Sequence, residues 1–354
     1  MKENRIRKIV LCGATSVEET NFGDVLLEEL LVEKIKSIIP DVSISRFKRH
    51  DTLRNYIWRL VRTDAFIYVP GGYLGYIEKW YSGSFAKSLQ RLIYYYLPGL
   101  LYSFTGKPMV LLGQGIGPYE YRVLSGALKR IANYSALVTV RDTESYELLR
   151  KVGCSNKISI TADCSQVLLK YNLIWECAES KKIKSKKGQS KVMFVLFFNT
   201  QQWKNKVIEA LKPFMGNDYL FVITTDGINT DRKDFLEFTR SFPEDKTFAF
   251  DYKSPEQLLS VLNETDIVIT PKLHTGIVSC VLGKSVFAFA AQYDKTKIYY
   301  NRIGYPERAC NLDKVSASEM TRLIEKYENE KIKLPEEIIE AAEQNYTMLE
   351  QFFK

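Results

Sequence analysis

The sequence predicts an α/β protein with two Rossmann-like domains, each built on a parallel sheet. Three observations support this prediction. The chain has 354 residues, which is too long for one ordinary hydrophobic core. Strand and helix patterns alternate with short connections, which is typical of a parallel sheet covered on both faces. A lysine-rich stretch interrupts the alternation near the middle of the chain, and the same alternation then starts again.

In the first half, short apolar runs predict strands, and longer runs with apolar residues at helical spacing predict helices. The predicted strands are IRKIVLCG, VSISRF, AFIYVPGG, the start of PMVLLGQGIGP, ALVTV and KISITAD. The predicted helices are 24–39, TLRNYIWRLVR, a long segment before Pro108, 121–133 and 142–151. The first helix stops at Pro40, which cannot continue a helix. The glycines of VPGG and GQGIGP are predicted to form loops after their strands.

The second half repeats the alternation. Its predicted strands are KVMFVLFF, YLFVITT, TFAF, DIVIT and SVFAFA. Its predicted helices lie near 201–213, 231–240, 255–263, 273–282, 294–302, 316–328 and 335–352.

These patterns predict an N-terminal domain over 1–170 and a C-terminal domain over 191–330, followed by a terminal helix over 331–354. The lysine-rich stretch over 171–190 is predicted to be a linker. Six lysines fall between Lys181 and Lys191. A solvated linker is favoured over a nucleic-acid patch, because no aromatic residues interleave the lysines to stack on bases.

The composition of the chain narrows the classes of binding partner and the cellular compartment to be expected. A formal net charge of +8 favours acidic partners, which leaves a phosphorylated small molecule, an anionic membrane surface and nucleic acid open. The six cysteines form no C-x-x-C pair, so neither a disulfide framework nor a zinc site is expected. Reduced thiols indicate a cytoplasmic protein, and the apolar run near the N-terminus is too short for a signal peptide.

One uncharged segment, LIYYYLPGLLYSFTG over 92–106, bears on membrane contact. It is shorter than the roughly 20 residues of a spanning helix and is interrupted by Pro98 and Gly99. We favour a buried, kinked helix. A patch that touches the bilayer surface is the alternative, since Tyr-rich apolar segments suit that interface.

Glycines and polar residues collect at the predicted strand ends of the first half. Such glycines let the backbone approach a ligand, and a following helix start offers N–H groups to an anion. GQGIGP does not fit the G-x-G-x-x-G spacing, so a dinucleotide fingerprint is not supported. Asp24 has the alternative role of a plain helix N-cap. The candidate positions are Gly13 to Ser16, Asn21, Gly23, Asp24, Gly71, Gly72, Tyr73, Gln114, Gly115, Arg141, Asp142 and Asp163.

In the second half, one of only two histidines follows the strand DIVIT, in the sequence PKLHTG. Lys272 and His274 then stand at a helix N-terminus, where the helix dipole favours an anion. A lysine can bind phosphate or carboxylate, and a histidine can transfer a proton near neutral pH. The alternative is that His274 only caps or packs at the helix start. Of the cations after the next strand, Lys297 is the one we expect to face the ligand.

Together these motifs resemble the polysaccharide pyruvyl transferase family. The resemblance runs in order through NFGD, GGYLGY, GQGIGP, RDTESYELLRKVG, TADCS and DIVITPKLHTGIVSC, continuing to NRIGY. It implies the GT-B arrangement, in which the two parallel sheets face each other across a cleft. It also implies transfer of a pyruvyl group from phosphoenolpyruvate to a sugar of a cell-surface polysaccharide or of its lipid-linked precursor, with a pyruvate ketal and phosphate as products.

The resemblance also implies roles for residues. His274 is the expected acid/base, and Lys272 and Arg141 are the expected cationic clamps for the donor's carboxylate and phosphate. Further donor contacts are expected from Leu273, Thr275, Lys297, Gly115 and Gln114, and cleft or acceptor loops from Asn21, Gly23, Asp24, Gly71, Gly72, Tyr73 and Asp163. Rings that could stack on a sugar are Tyr73, Tyr76, Trp80, Tyr81 and Tyr119, although packing is the safer interpretation for most of them.

One position departs from the family pattern. The family's Arg-Leu-His motif reads Lys272-Leu273-His274 here, and lysine lacks the bidentate fork of arginine. A glycosyltransferase that uses a nucleotide sugar and a binding-only member of the family therefore stay open as alternatives. No cofactor, metal or nucleic-acid partner is expected, and a peripheral membrane contact is left open.

Overall fold

The computed structural model describes residues 6–13, 21–47, 53–74, 92–117, 122–171, 176–227 and 231–354. The chain divides into two compact units. Unit 1 comprises Met1–Thr20, Asp24–Ser165 and Glu337–Lys354, and unit 2 comprises Asn21–Gly23 and Gln166–Glu336.

Unit 1 contains a seven-stranded parallel sheet with the strand order β2-β1-β3-β5-β6-β7, and β4 pairs with β5 beside this path. Its strands are β1 (Lys8–Cys12), β2 (Ser43–Arg46), β3 (Ala65–Tyr68), β4 (Gly71–Leu74), β5 (Met109–Ile116), β6 (Leu137–Val140) and β7 (Ser159–Ile160). Strands β3 and β5 are buried along their whole length, as expected for central strands covered by helices on both faces.

The helices of unit 1 are amphipathic or apolar segments that cover this sheet. They are α1 (Phe22–Ile38), α2 (Leu53–Arg62), a π-helix (Leu92–Tyr96) that runs into α3 (Leu97–Tyr102), α4 (Arg122–Tyr134), α5 (Thr143–Lys151) and the terminal α13 (Glu336–Phe353). α1 begins two residues before the predicted start and so includes the FGD sequence. Asp142 caps α5 by accepting a hydrogen bond from the Ser145 N–H.

The predicted glycine loop GQGIGP is largely strand in the structure. β5 continues through Gly113, Gln114 and Gly115 to Ile116. The extension is stabilised by β4, which pairs with the same residues of β5, and β4 itself includes the predicted turn glycines Gly71 and Gly72. The reading of these glycines as loops was therefore wrong.

The terminal helix α13 is fixed to unit 1 by the buried side chain of Asn345. Its Oδ1 accepts hydrogen bonds from the hydroxyls of Thr139 and Thr161, and its Nδ2 donates to the Ala162 carbonyl. Thr139 in turn accepts the N–H of Gly113. This network links the helix to β5 and β6 and to the end of β7.

Unit 2 contains a six-stranded parallel sheet with the order β10-β9-β8-β11-β12-β13. Its strands are β8 (Lys191–Leu196), β9 (Tyr219–Thr224), β10 (Thr247–Ala249), β11 (Ile267–Thr270), β12 (Ser285–Ala290) and β13 (Ala309–Asn311). Counted from β8, this is the strand order of a doubly wound Rossmann-like sheet. The sequence prediction of an α/β protein with two parallel sheets is confirmed.

The helices of unit 2 are α6 (Ala178–Lys187), α7 (Gln201–Met215), α8 (Arg232–Thr239), α9 (Pro255–Asn263), α10 (Leu273–Val281), α11 (Tyr293–Arg302) and α12 (Ala317–Tyr327). The lysine-rich stretch forms α6, which buries Ile183 and exposes four of its five lysines. Core aromatic side chains such as Trp203, Phe221 and Phe287 fill the space between sheet and helices.

The segment over 92–106 is helical from Leu92 to Tyr102, and it buries Tyr96 and Tyr102. Pro98 falls in the first turn of α3, where a proline is tolerated. Within the described part of the chain, no helix has both the length and the apolarity that crossing a membrane requires.

Candidate functional site

The candidate site of unit 2 lies at the topological switch point of its sheet. The strand order reverses between β8 and β11, and ligands of open α/β sheets bind at the carboxyl ends of strands at such a point. Thr270 ends β11, and the chain then passes through Pro271 and Lys272 into helix α10. The Thr270 hydroxyl accepts the Lys272 N–H at 3.0 Å, which fixes this turn.

Lys272 occupies the N-cap position of α10, and its side chain makes no capping bond. Its Nζ lies 3.6 Å from Oδ2 of Asp226, which follows β9, and 5.1 Å from the ring centre of Phe198, which follows β8. The ends of three neighbouring strands therefore contribute to the surroundings of one half-buried ammonium group. The first turn of α10 adds backbone N–H groups that have no partner inside the helix.

His274 lies in the first turn of α10, and its imidazole packs directly against Gly23. A Cβ atom at position 23 would be 2.1 Å from Nδ1 of His274 and 2.4 Å from its Cβ. Only glycine leaves room for the ring in this position. The Nε2 atom of the ring is buried, while the residue as a whole is half-buried.

Gly23 is held in place by the loop that carries Asp226. Residues Asn21–Gly23, which we call the strap, form an antiparallel bridge between Asn21 and Gly227. The N–H of Phe22 donates to the Asp226 carbonyl at 2.7 Å. Asp226 thus contacts Lys272 through its carboxylate and holds the strap against His274 through its main chain.

Two further predicted residues of this group belong to α10. Leu273 is its first residue and is half-buried, whereas Thr275 is buried. Within the described part of the chain, the Thr275 hydroxyl has no hydrogen-bond partner. Lys297 lies on α11 with an exposed side chain.

Chemically, this arrangement joins a cation, an imidazole and the positive end of a helix dipole within three residues. Such a group suits an anionic ligand that carries a transferable proton or a basic leaving group. Asp226 offsets the charge of Lys272, so a bound anion competes with this carboxylate for the ammonium group. No cluster of three or more metal-ligating side chains occurs among the residues that the structure describes.

In unit 1, Arg141 follows β6 and is buried between two carboxylates. Its Nη1 donates to Asp163 Oδ2 at 3.2 Å, and its Nε lies 3.5 Å from Asp142 Oδ2. Its guanidinium passes over Gly115, where a Cβ would lie 2.6 Å from Nε. Asp163 also accepts the N–H and the hydroxyl of Ser165. The charge of Arg141 is therefore offset inside the protein.

Gln114 and Tyr73 brace the end of β3. The Gln114 amide donates from Nε2 to the Val69 and Leu112 carbonyls, and the Tyr73 hydroxyl lies 2.6 Å from the Val69 carbonyl and 2.9 Å from that of Cys12. Burial, followed by the nearby Cys12 thiol, raises the pKa of Tyr73 well above its ordinary value. Both side chains are held by these internal contacts.

Of the other predicted positions of unit 1 that the structure describes, Gly13 is buried directly after β1, and the rest belong to β4 and α1. Gly71 is buried and Gly72 half-buried in β4, while Asp24 is half-buried in the first turn of α1. The predicted positions Ala14, Thr15, Ser16, Tyr76, Trp80, Tyr81 and Tyr119 lie outside the described residues.

Two residues of the unit 2 site were not predicted from the sequence. Asp226 was available as a carboxylate directly after the strand YLFVITT, followed by Gly227. Phe198 was available as the last residue of the strand run KVMFVLFF. Phe198 follows β8, which borders the switch point, and Asp226 follows the neighbouring strand β9. That position at strand ends was the signal.

Comparison with known proteins places this chain in context. The sequence profile of the family described as polysaccharide pyruvyl transferase matches residues 21–293, which is most of the chain. No curated protein gives a significant match in sequence.

Solved structures share the fold. A UDP-GlcNAc 2-epimerase from Methanocaldococcus jannaschii superposes with a TM-score of 0.62 at 10% identity, covering 97% of this chain and 99% of the other. A UDP-GlcNAc 2-epimerase from Neisseria meningitidis, solved with bound UDP-GlcNAc, gives a TM-score of 0.58 at 11% identity, covering 98% of this chain and all of the other. These likenesses confirm the GT-B-like fold class.

Proposed function

The chain belongs to the polysaccharide pyruvyl transferase family, and from this we propose that it transfers the pyruvyl group of phosphoenolpyruvate to a saccharide acceptor. The products are a pyruvate ketal across two hydroxyls of the sugar and inorganic phosphate. The acceptor is a sugar of a cell-surface polysaccharide or of its lipid-linked precursor, and the reaction takes place on the cytoplasmic side of the membrane.

The observation that supports this proposal best is the group formed by Lys272, His274 and Asp226 at the switch point of unit 2. Phosphoenolpyruvate carries a carboxylate and a phosphate. Lys272 and the N-terminus of α10 offer a cation and helix N–H groups to one of these anions. Transfer also needs a group that moves a proton, and His274 is the titratable side chain next to Lys272 on the same helix turn.

The reaction balances with one acid/base. A first sugar hydroxyl adds to the carbon that bears the phosphate and gives up its proton, while the methylene carbon of the donor receives a proton and becomes a methyl group. A second hydroxyl then displaces phosphate at the same carbon, and its proton leaves with the phosphate. His274 is proposed to supply the proton to the methylene carbon or to the departing phosphate oxygen, a contribution of roughly 10²–10⁴-fold.

The fixed position of the imidazole favours this role. A general acid works best when its orientation is set before the substrate binds, and the strap sets that of His274 through Gly23. Because Nε2 is buried, a donor that uses this atom has to displace the groups that cover it. His274 is therefore the residue at which the proposal is tested most sharply.

The roles of the remaining predicted residues stay predictions. Arg141 is proposed as a second cationic group for the donor. Since Asp142 and Asp163 offset its charge, an Arg141→Lys variant should separate a structural role from a binding role by its thermal stability and its KM for phosphoenolpyruvate. The roles of Lys297, Gln114 and the glycines of β4 stay predictions of the same kind.

The experiment that tests the function measures phosphate release from phosphoenolpyruvate with a panel of free and lipid-linked saccharides. The wild-type protein should release phosphate with at least one acceptor, and His274→Ala should not, while the variant stays folded. The matched control is His50→Ala, which removes the other histidine of the chain. Equal turnover of His274→Ala and wild type would reject the role of His274.

The same acceptor panel distinguishes phosphoenolpyruvate from a nucleotide sugar as the donor. The epimerase structure with bound UDP-GlcNAc shares this fold, so UDP-sugars are offered in parallel and free nucleotide is assayed. Release of nucleotide from a UDP-sugar, with no phosphate release from phosphoenolpyruvate, would contradict pyruvyl transfer and support glycosyl transfer. Binding of phosphoenolpyruvate without turnover on any acceptor would support a binding-only protein.

A further inference from the structure

Helix α2 presents an apolar face to solvent. Ile57, Trp58 and Val61 are 48%, 53% and 62% exposed, although they are large hydrophobic side chains. Their spacing puts Trp58 and Val61 on neighbouring turns of one helix face, beside Ile57. We call these three residues the α2 patch.

Cations surround the α2 patch. Arg54, Arg59 and Arg62 belong to the same helix, and the helix contains no acidic residue. The guanidinium of Arg62 lies over the Trp58 indole at 4.5 Å from the ring centre, so ring and charge are presented together. Arg54 and Arg62 are exposed.

The helix is firmly attached to unit 1 through its opposite side. Leu60 is buried in the core that includes Phe66 and Tyr102. At the helix end, Lys107 Nζ donates to the carbonyls of Val61 and Thr63, which adds a further cation at this edge. The exposure of the patch is therefore a property of a packed helix and not of a frayed end.

One further large apolar side chain is exposed in the chain segment that follows α3. Phe104 is 73% exposed and belongs to the connection Ser103–Lys107, in which Lys107 donates a hydrogen bond to the Val61 carbonyl at the end of α2. By contrast, exposed apolar side chains of unit 2, such as Leu236 on α8, lie on other elements. Among the residues that the structure describes, α2 carries three exposed large apolar side chains, and no other helix carries more than one.

We propose that the α2 patch docks the protein on an anionic membrane surface, with Trp58 at the level of the lipid headgroups. A helix with exposed aromatic and aliphatic side chains and flanking arginines matches the composition of segments that lie in the membrane interface. Trp58 suits the headgroup region, because an indole is apolar in body and carries one polar N–H group. Arg54 and Arg62 would contact lipid phosphates.

Charge argues against a second copy of this chain as the occupant. In a two-fold symmetric contact the same patch meets itself, so the arginines of one copy would face those of the other. Lipid phosphates complement the same arginines. The proposal does not depend on the identity of the donor or the acceptor, so it fails or holds independently of pyruvyl transfer.

The test is co-flotation of the full chain with vesicles of phosphatidylcholine, alone or mixed with phosphatidylglycerol. We expect the wild type to float only with the anionic vesicles, and less so as the salt concentration rises. Arg54→Gln/Arg62→Gln should weaken binding about 25-fold, since each arginine near such a surface contributes about fivefold. Trp58→Ser/Val61→Ser should abolish flotation, and the control Leu236→Ser should leave it unchanged.

Circular dichroism melting shows whether each variant stays folded. A Trp58→Phe variant, which keeps an aromatic ring, should keep flotation and lose the part of the fluorescence blue shift that anionic vesicles cause in the wild type. Wild-type protein that does not float with anionic vesicles would overturn the proposal. So would light scattering that finds a dimer which Trp58→Ser/Val61→Ser dissociates without any vesicle binding, because the occupant would then be a second copy.

Discussion

Replacing Gly23 with alanine is expected to move the His274 imidazole and to lower turnover by about 10²-fold. The added Cβ would stand 2.1 Å from Nδ1, whereas ordinary contacts begin near 3.4 Å. The ring or the start of α1 must therefore shift by about 1.3 Å. A misplacement of about 1 Å at a reacting group costs roughly 10²-fold in rate, which is about 2.7 kcal/mol of transition-state stabilisation.

The assay is phosphate release from phosphoenolpyruvate, measured as kcat and KM separately. If the strap positions the acid/base, kcat should fall far more than the KM for phosphoenolpyruvate rises, because Lys272 stays in place. The matched control is Gly126→Ala in α4, where an added Cβ meets nothing within 4 Å. That variant should keep full activity and gain up to about 1 kcal/mol of stability, since alanine favours a helix.

Turnover of Gly23→Ala at the wild-type rate would refute a positioning role of the strap. The contact between the strap and the imidazole would then have no part in catalysis, and a crystal structure of the variant would show whether the ring has moved. A loss of activity that accompanies global unfolding is separated from the predicted effect by the thermal melt, which should change by only a few degrees.

Three further predictions concern binding, stability and thiol chemistry. Lys272→Met should raise the KM for phosphoenolpyruvate at least 10-fold. Lys272→Arg, which restores the bidentate fork, should bind the donor at least as tightly as wild type by calorimetry. Equal affinity of wild type and the Met variant for phosphoenolpyruvate would exclude Lys272 as the clamp. Asn345→Leu should lower the free energy of unfolding by about 3 kcal/mol in urea titrations, because it removes the partner of buried hydroxyl and carbonyl groups. The control Asn205→Leu, at an exposed position, should change the free energy of unfolding by less than about 0.5 kcal/mol. Burial raises the pKa of the Cys280 thiol to about 12. Iodoacetamide at pH 8 should therefore label half-buried Cys177 in the native protein and reach Cys280 only on unfolding. Labelling of Cys280 before unfolding, measured by mass spectrometry, would contradict its burial.

The order of strands and helices could be read from the sequence, because buried parallel strands are short apolar runs separated by amphipathic helices. The same logic correctly identified the start of helix α10 after DIVIT. It failed for GQGIG, since glycine in a sequence indicates a loop more often than a strand. Here the absent side chain of Gly115 makes room for Arg141, and β4 pairs with this part of β5.

Only some of the contacts that form the unit 2 site could be predicted from the sequence. Lys272 and His274 are local neighbours, so one motif indicates both. Asp226 and Gly23 reach them through contacts between distant parts of the chain, namely the bridge from Asn21 to Gly227 and the packing of the imidazole on a glycine. Such pairings depend on how the strands are ordered in the sheet, which alternation alone does not specify.

The central claim is that the imidazole of His274 acts on a donor held beside Lys272. Because the chain has two histidines, a His50→Gln variant labelled with ¹⁵N leaves a single imidazole in long-range proton–nitrogen spectra. Phosphoenolpyruvate should shift the His274 ring signals saturably, with the same Kd as calorimetry gives, and Lys272→Met should abolish the shift. Ring signals that do not change while calorimetry shows phosphoenolpyruvate bound would contradict the account.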